Sequence, residues 1–233
     1  MIIDQEKNRI KYLIKGFLGV FTYFFISITK KVPLYILGID ISQISKSAIN
    51  LYSFSLEMII IIIIYMLFEK EISEGIKDLK KNHEKYYFTH FKTYIIGLLI
   101  MMIANSIINL LGGGISENET IIRNEFLISP IYTYVSAVFL APIMEEMIFR
   151  FCFKAMIKNN IIYIIISGLI FGALHLSGLP VNYLYPIYLL AYAASGFAFS
   201  YMMGKTNNIF VSWGFHLMHN GILLTVQTIR LFI

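Results

Sequence analysis

Seven stretches of the chain are almost purely apolar, separated by short polar gaps: 12–29, 49–68, 94–111, 131–155, 161–176, 183–203 and 208–232. A helix needs about 20 mainly apolar residues to cross the hydrocarbon core of a bilayer. Each stretch therefore predicts a spanning helix, the fifth short enough to be tilted or partly re-entrant. No sustained period-2 alternation appears, which argues against a β-barrel. The pattern predicts an all-α, polytopic transmembrane bundle of about seven spans.

Composition narrows the class. Of 233 residues, 58% are hydrophobic and 14% charged, against roughly 25% charged in soluble domains. That excludes an ordinary soluble domain and a disordered chain. The single cysteine, Cys152, makes no internal disulfide. The net charge of +5 reads as membrane topology rather than nucleic-acid binding, because the basic residues fall between the apolar runs. Threading the chain with its N-terminus in the cytoplasm puts 13 of the 19 basic residues inside, Lys7 and Lys15 among them, and 5 outside. Arg150 is left in the membrane. The first stretch lacks a small-residue cleavage site and is followed by Lys30-Lys31-Val32-Pro33, so it reads as a retained helix. In the gap 69–93, Ile72, Ile76 and Leu79 share a helical face, which predicts an amphipathic interfacial segment on the cytoplasmic side. The chain reads as one integral membrane domain, with N-terminal helices over 1–130 and chemistry-bearing helices over 131–233.

Function in such a chain is read from polar groups that should not be in lipid. An ionisable side chain near the bilayer centre costs about 2.5–3.5 kcal/mol on insertion scales. The fourth stretch carries Pro142, Glu145, Glu146 and Arg150. On an α-helix Glu146 and Arg150 are i, i+4 neighbours able to pair. Glu145 points about 100° away without that partner, which suits general acid/base work. The fifth stretch carries Phe171 and His175, and the seventh His216, His219 and Asn220. His216 and Asn220 share a face, and His219 lies one residue off it. Glu57 in the second stretch reads as a hydrogen-bonded anchor. Together these groups offer a base, proton carriers and an amide donor for an oxyanion. Two His and a carboxylate also suit zinc, although the H-E-x-x-H of zincins is absent. On straight helices Glu145 and His175 fall toward opposite membrane faces. Convergence then needs tilt, a bend at Pro142 or a re-entrant fifth helix.

Glu145-Glu146-x-x-x-Arg150, Phe171-x-x-x-His175 and His216-x-x-x-Asn220, in that order, resemble the three motifs of the CPBP intramembrane protease family. This is the CAAX-protease and bacteriocin-processing group, also called Abi. The resemblance covers residues 131–233, under half the chain. It implies an intramembrane endopeptidase in which Glu145 activates the attacking water. Glu146 and Arg150 would hold the motif, with Glu146 a second candidate for catalysis. His175 would position water or shuttle protons, and His216 with Asn220 would stabilise the oxyanion. A zinc mechanism, with Glu145, His175 and His216 as ligands, and a metal-free glutamate mechanism both stay open. The implied partners are membrane lipids and a peptide or membrane-protein substrate, with no nucleic acid. The Ile, Lys and Asn bias points to an AT-rich bacterium and hence to a multi-pass protein of the plasma membrane. Bacteriocin maturation, self-immunity and membrane-protein turnover are the matching roles. The competing readings are a non-catalytic membrane scaffold or immunity protein, and a proton-coupled transporter, for which inverted repeats are not found.

Overall fold

The computed structural model describes Ile3 and residues 8–232. Lys7, one of the basic residues counted as cytoplasmic, lies outside the described residues. The described chain is helical without strands. Four helices are long and apolar enough to cross a membrane: α1 (Arg9–Thr29), α3 (Lys46–Leu110), α9 (Tyr185–Thr206) and the Ile209–Ile229 part of α10 (Ile209–Phe232). Shorter elements lie between them: α2 (Val32–Ile36), α4 (Glu117–Ile128), α5 (Pro130–Val135), α6 (Ala141–Glu145), α7 (Phe153–Met156) and α8 (Asn160–Leu174).

The second and third apolar stretches belong to one helix. As a straight rod, the 65 residues of α3 would reach about 100 Å, roughly three times the hydrocarbon thickness. The helix instead kinks at Phe68, whose φ of −124° and ψ of 22° are not helical. Contacts show the chain doubling back there. Lys46, at its start, pairs with Glu125 of α4. Asn105, near its end, lines the same cavity as Asn118 and Ile122 of α4. The start of α3 therefore touches α4, and its end shares a cavity wall with α4. The elbow is pinned by Lys15, whose Nζ lies 3.0 and 3.2 Å from the carboxylate oxygens of Glu71 and 5.1 Å from the Phe68 ring centroid. Lys15, counted as a flanking charge from sequence, is the partner that makes a buried Glu71 tolerable.

Beyond the elbow, residues 69–93 continue as helix and dock on the start of α10. Ile72 and Gly75 are buried and Leu79 packs inward, while Ile76 is 40% exposed. Gly75 sets how closely the two helices meet. A Cβ there would sit 3.3 Å from Asn208 Oδ1 and from the Phe210 ring, and its absence lets α10 approach. Asn208 Nδ2 donates to Gly75 O at 2.9 Å and to Asp78 Oδ2 at 2.8 Å. Tyr86 and Asn82 also donate to Asp78, at 2.9 and 2.8 Å.

This clasp is titratable. Burial pushes the Asp78 carboxyl up, but the bonds from Asn208, Tyr86 and Asn82 outweigh it and hold the carboxyl below its ordinary value of 3.8. Burial and the neighbouring Asp78 push Tyr86 up to about 12. A depressed folded-state value means that the contribution is present above the ordinary value and lost as pH falls through the folded one. Thermal melts in detergent should therefore show stability falling below about pH 4, with the drop reduced in Asp78→Asn. An equal acid response in both proteins would show that the clasp is not the acid-sensitive element.

The fourth apolar stretch changes its winding twice. Ser136–Leu140 and Glu146–Cys152 are π-helical, on either side of α6. Proline starts α6 at position 142. In the first π segment the Ala141 N–H bonds to Ser136 O. The next bond in that series, to Ala137 O, would come from position 142, where proline has no N–H. Asn220 Nδ2 fills the gap, donating to Ala137 O at 2.9 Å. The fifth stretch forms the 15-residue α8, which ends one residue before His175. It packs tightly on α9 through small residues. A Cβ on Gly172 would lie 2.8 Å from Ala193 N. Ser200 donates to Ser167 Oγ at 2.8 Å, and Ser167 donates to Phe149 O at 2.5 Å, which ties both helices to the second π segment.

Candidate active site

Glu145 closes α6 and Glu146 opens the π segment. The ring of His216 on α10 lies between their carboxylates. Its Nδ1 is 3.0 Å from Glu146 Oε1, and its Nε2 is 3.6 Å from Glu145 Oε2. Phe199 stacks on that ring with centroids 4.7 Å apart. Glu145, expected from sequence to lack a local partner, feels the charge of Arg150 on its own stretch and faces His216 on α10. Glu146 and Arg150 are fully buried, with Arg150 Nε 3.4 Å from Glu146 Oε1. Among the described residues the Arg150 nitrogens make no hydrogen bond. The guanidinium carbon sits 4.3 Å from the Phe171 ring centroid and 5.8 Å from that of Phe199, so two aromatic faces carry part of its charge.

Glu145, His175, His216 and Asn220 all line one cavity of ≈ 440 Å³, with Glu146 and Arg150 behind its wall. His175 stands apart from the carboxylates. Its Nδ1 donates to Phe171 O at 2.8 Å. The Phe171 ring packs on both histidines, at 4.4 Å from His175 and 5.8 Å from His216. With Nδ1 carrying the proton, the neutral ring presents Nε2 as an acceptor. Asn220 reaches the cavity with one amide N–H committed to Ala137 O. His219 also lines the cavity and packs edge-on against Tyr94 and Phe199.

Tyr192 was not legible from sequence. It stacks on His175 with centroids 5.3 Å apart and hydrogen-bonds Ser116. Its surroundings, Ala191, Ala193 and Ala194, leave room for a close approach, but nothing in the pattern separates it from Tyr185 or Tyr188. Farther out, Gln227 Nε2 donates to Glu119 Oε1 at 3.2 Å, which links α10 to α4 where both line the cavity.

The residues that would hold a metal do not fit one in this arrangement. Among the described residues no group of three His, Cys, Asp or Glu side chains is placed to bind an ion. His216 directs both nitrogens at carboxylates, and His175 has Nδ1 committed to a backbone carbonyl.

Residues 127–222 match the family described as type II CAAX prenyl endopeptidase Rce1-like. YdiL of Bacillus subtilis (strain 168), a candidate membrane peptidase by its name, is 35% identical over 115 residues, covering 48% of this chain and 43% of that protein. An uncharacterised protein of Mycoplasma capricolum is 29% identical over 128 residues, covering 52% of this chain and 37% of that protein. The chain thus matches less than half the length of either curated relative. No solved structure matches. The matched segment holds both carboxylates, the three cavity histidines and Asn220 on a helical membrane scaffold, and it is through this segment that the chain is similar to the CAAX-type membrane endopeptidases.

Proposed function

We propose that the chain is an intramembrane endopeptidase in which Glu145 activates water. The observation that carries this is the His216 ring held between two carboxylates at the wall of a cavity. Charge balance supports the assignment. In a low-dielectric site isolated charges are costly unless paired. Arg150 and Glu146 neutralise each other, and one proton held by His216 balances Glu145. In that state His216 donates from Nδ1 to Glu146 and directs Nε2–H toward Glu145. Glu145 takes a proton from water as the oxygen attacks the peptide carbonyl, and the imidazolium offsets the negative charge on the tetrahedral oxygen. Glu145 then gives the proton to the leaving nitrogen as the C–N bond breaks, which restores the starting charges. His175 accepts a hydrogen bond from the attacking water through Nε2. The second N–H of Asn220 donates to the oxyanion. The residues with these roles lie between Glu145 and Asn220, and Met101, Asn105 and residues of α4 complete the cavity wall.

Membrane-associated peptides in a bacterial plasma membrane are the substrate class, consistent with bacteriocin maturation, self-immunity or membrane-protein turnover. Incubating purified protein with quenched fluorescent membrane peptides tests the proposal. Hydrolysis by the natural chain and none by Glu145→Gln is expected, whereas equal traces would leave a scaffold or transporter reading. The same assay addresses the metal. Turnover should be unchanged by a strong chelator, because His216 is directed at Glu146 and Glu145 rather than into a ligand set. Loss of activity in chelator, restored by zinc alone, would overturn the glutamate mechanism.

A further inference from the structure

A second cavity, of ≈ 670 Å³, lies between the end of α1, the connection after it and the first arm of α3. One wall is apolar, formed by isoleucines and leucines of 34–49. A polar line crosses it, with Lys30 and Lys31 exposed at one end, then Ser27 and Ser53, and Glu57 farther in. Met144, the neighbour of Glu145, also lines it. Glu57 lines the second cavity and interacts with Ser136, which lines the first. Its charge is close enough to act on that of Glu145. Ser136 supplies part of the anchor expected from sequence, and Oε2 is the oxygen left shut from solvent and without a hydrogen-bond partner among the described residues.

A hydrolase inside a membrane has a supply problem. A peptide that fills the first cavity displaces the water that Glu145 must activate. Polar cavities of this size hold water, whereas purely apolar ones stay dry. A buried carboxyl oxygen without a protein partner calls for a water partner or strain. We propose that the second cavity is a water inlet to Glu145, separate from the substrate cavity, and that Glu57 is the positioning residue that passes water from one cavity to the other. This rests on the protease reading above. Lys30 and Lys31 keep the outer end hydrated, the serines and Glu57 supply successive hydrogen bonds, and Met144 marks the point of delivery.

Thiol labelling tests the cavity without requiring activity. Ser53→Cys places a thiol on the polar line, and Ile62→Cys, on the same arm, places one on an apolar surface that is 50% exposed. The native Cys152 is fully buried and does not compete. With a small anionic methanethiosulfonate and protein in sealed vesicles, Ser53→Cys should react at least about tenfold faster than Ile62→Cys, because the ionic reagent travels only through water. Modification at position 53 should then slow peptide hydrolysis. Glu57→Leu should lower kcat about tenfold with KM unchanged, while Glu57→Gln, which keeps hydrogen bonding, should retain most activity. A merely structural Glu57 would move the melting temperature in both variants without this kcat split. Equal labelling rates, or modification that leaves hydrolysis untouched, would overturn the inlet and leave the protease reading standing. A natural chain that cleaves nothing would sink the protease reading and with it the inlet's purpose, and the labelling ratio would still decide whether the cavity holds water.

Discussion

Glu145→Gln is expected to abolish peptide hydrolysis while the protein melts at its original temperature. Gln preserves the size of the side chain at the cavity wall and removes the group that accepts the proton. Loss of a general base lowers kcat by about 10²–10⁴-fold, and the upper end is expected here. The other carboxylate beside His216 is Glu146, which Arg150 and His216 already engage, and Glu119 and Glu125, which line the same cavity, are paired with Arg123 and Lys46. The melting temperature should hold because, among the described residues, Glu145 makes no short ion pair, its Oε2 lying 3.6 Å from His216 Nε2. Parallel measurement of kcat, KM and thermal unfolding decides the matter. A variant that loses activity only in proportion to folded protein would identify Glu145 as a structural residue.

Glu146→Gln should do the reverse in emphasis. It leaves Arg150 fully buried, with no carboxylate and no hydrogen bond among the described residues. Removing one partner of a buried pair costs about 3–5 kcal/mol, a drop in melting temperature on the order of 10 °C for a chain of this size. Activity should fall too, because His216 loses the acceptor that orients it. The double variant Glu146→Gln with Arg150→Met removes the stranded charge and should recover much of the stability but none of the activity. If the double variant is as unstable as the sum of the single ones, the two residues are not coupled.

The two variants follow different parts of the structure, and these differed in how far they could be read from the chain. The apolar stretches announced the helices because lipid enforces about 20 apolar residues per crossing. The elbow at Phe68 did not announce itself. The run 69–93 reads as an amphipathic helix of its own, and Glu71 with Lys15, and Gly75 with Asn208, show that it continues the second stretch and packs on neighbouring helices. In the site, the polarity of Glu145, Glu146, Arg150, His175, His216 and Asn220 in apolar surroundings was enough to single them out. Their mutual geometry was not. Spacing arithmetic assumed α winding throughout, and it paired His216 with Asn220. In the structure His216 bridges two carboxylates, while Asn220 completes a backbone bond that Pro142 leaves open. That substitution depends on a residue 78 positions away in sequence. Phe171 between the two histidines and Tyr192 against His175 are likewise tertiary facts about large rings in a crowded bundle.

The two π segments make the fourth stretch work like a vernier scale. A helix whose pitch changes on either side of a five-residue α turn sets the angular phase of every later residue by the count of residues within the wider turns. Rewinding either segment to ordinary pitch with every residue kept would swing everything beyond it by about 100°, away from its present neighbours on α8 and α10. Chemistry placed on such a stretch is indexed to chain length as much as to residue identity. A one-residue deletion inside a π segment can be absorbed by rewinding it to α pitch, whereas the same deletion in the α turn between them reassigns which later side chains look inward.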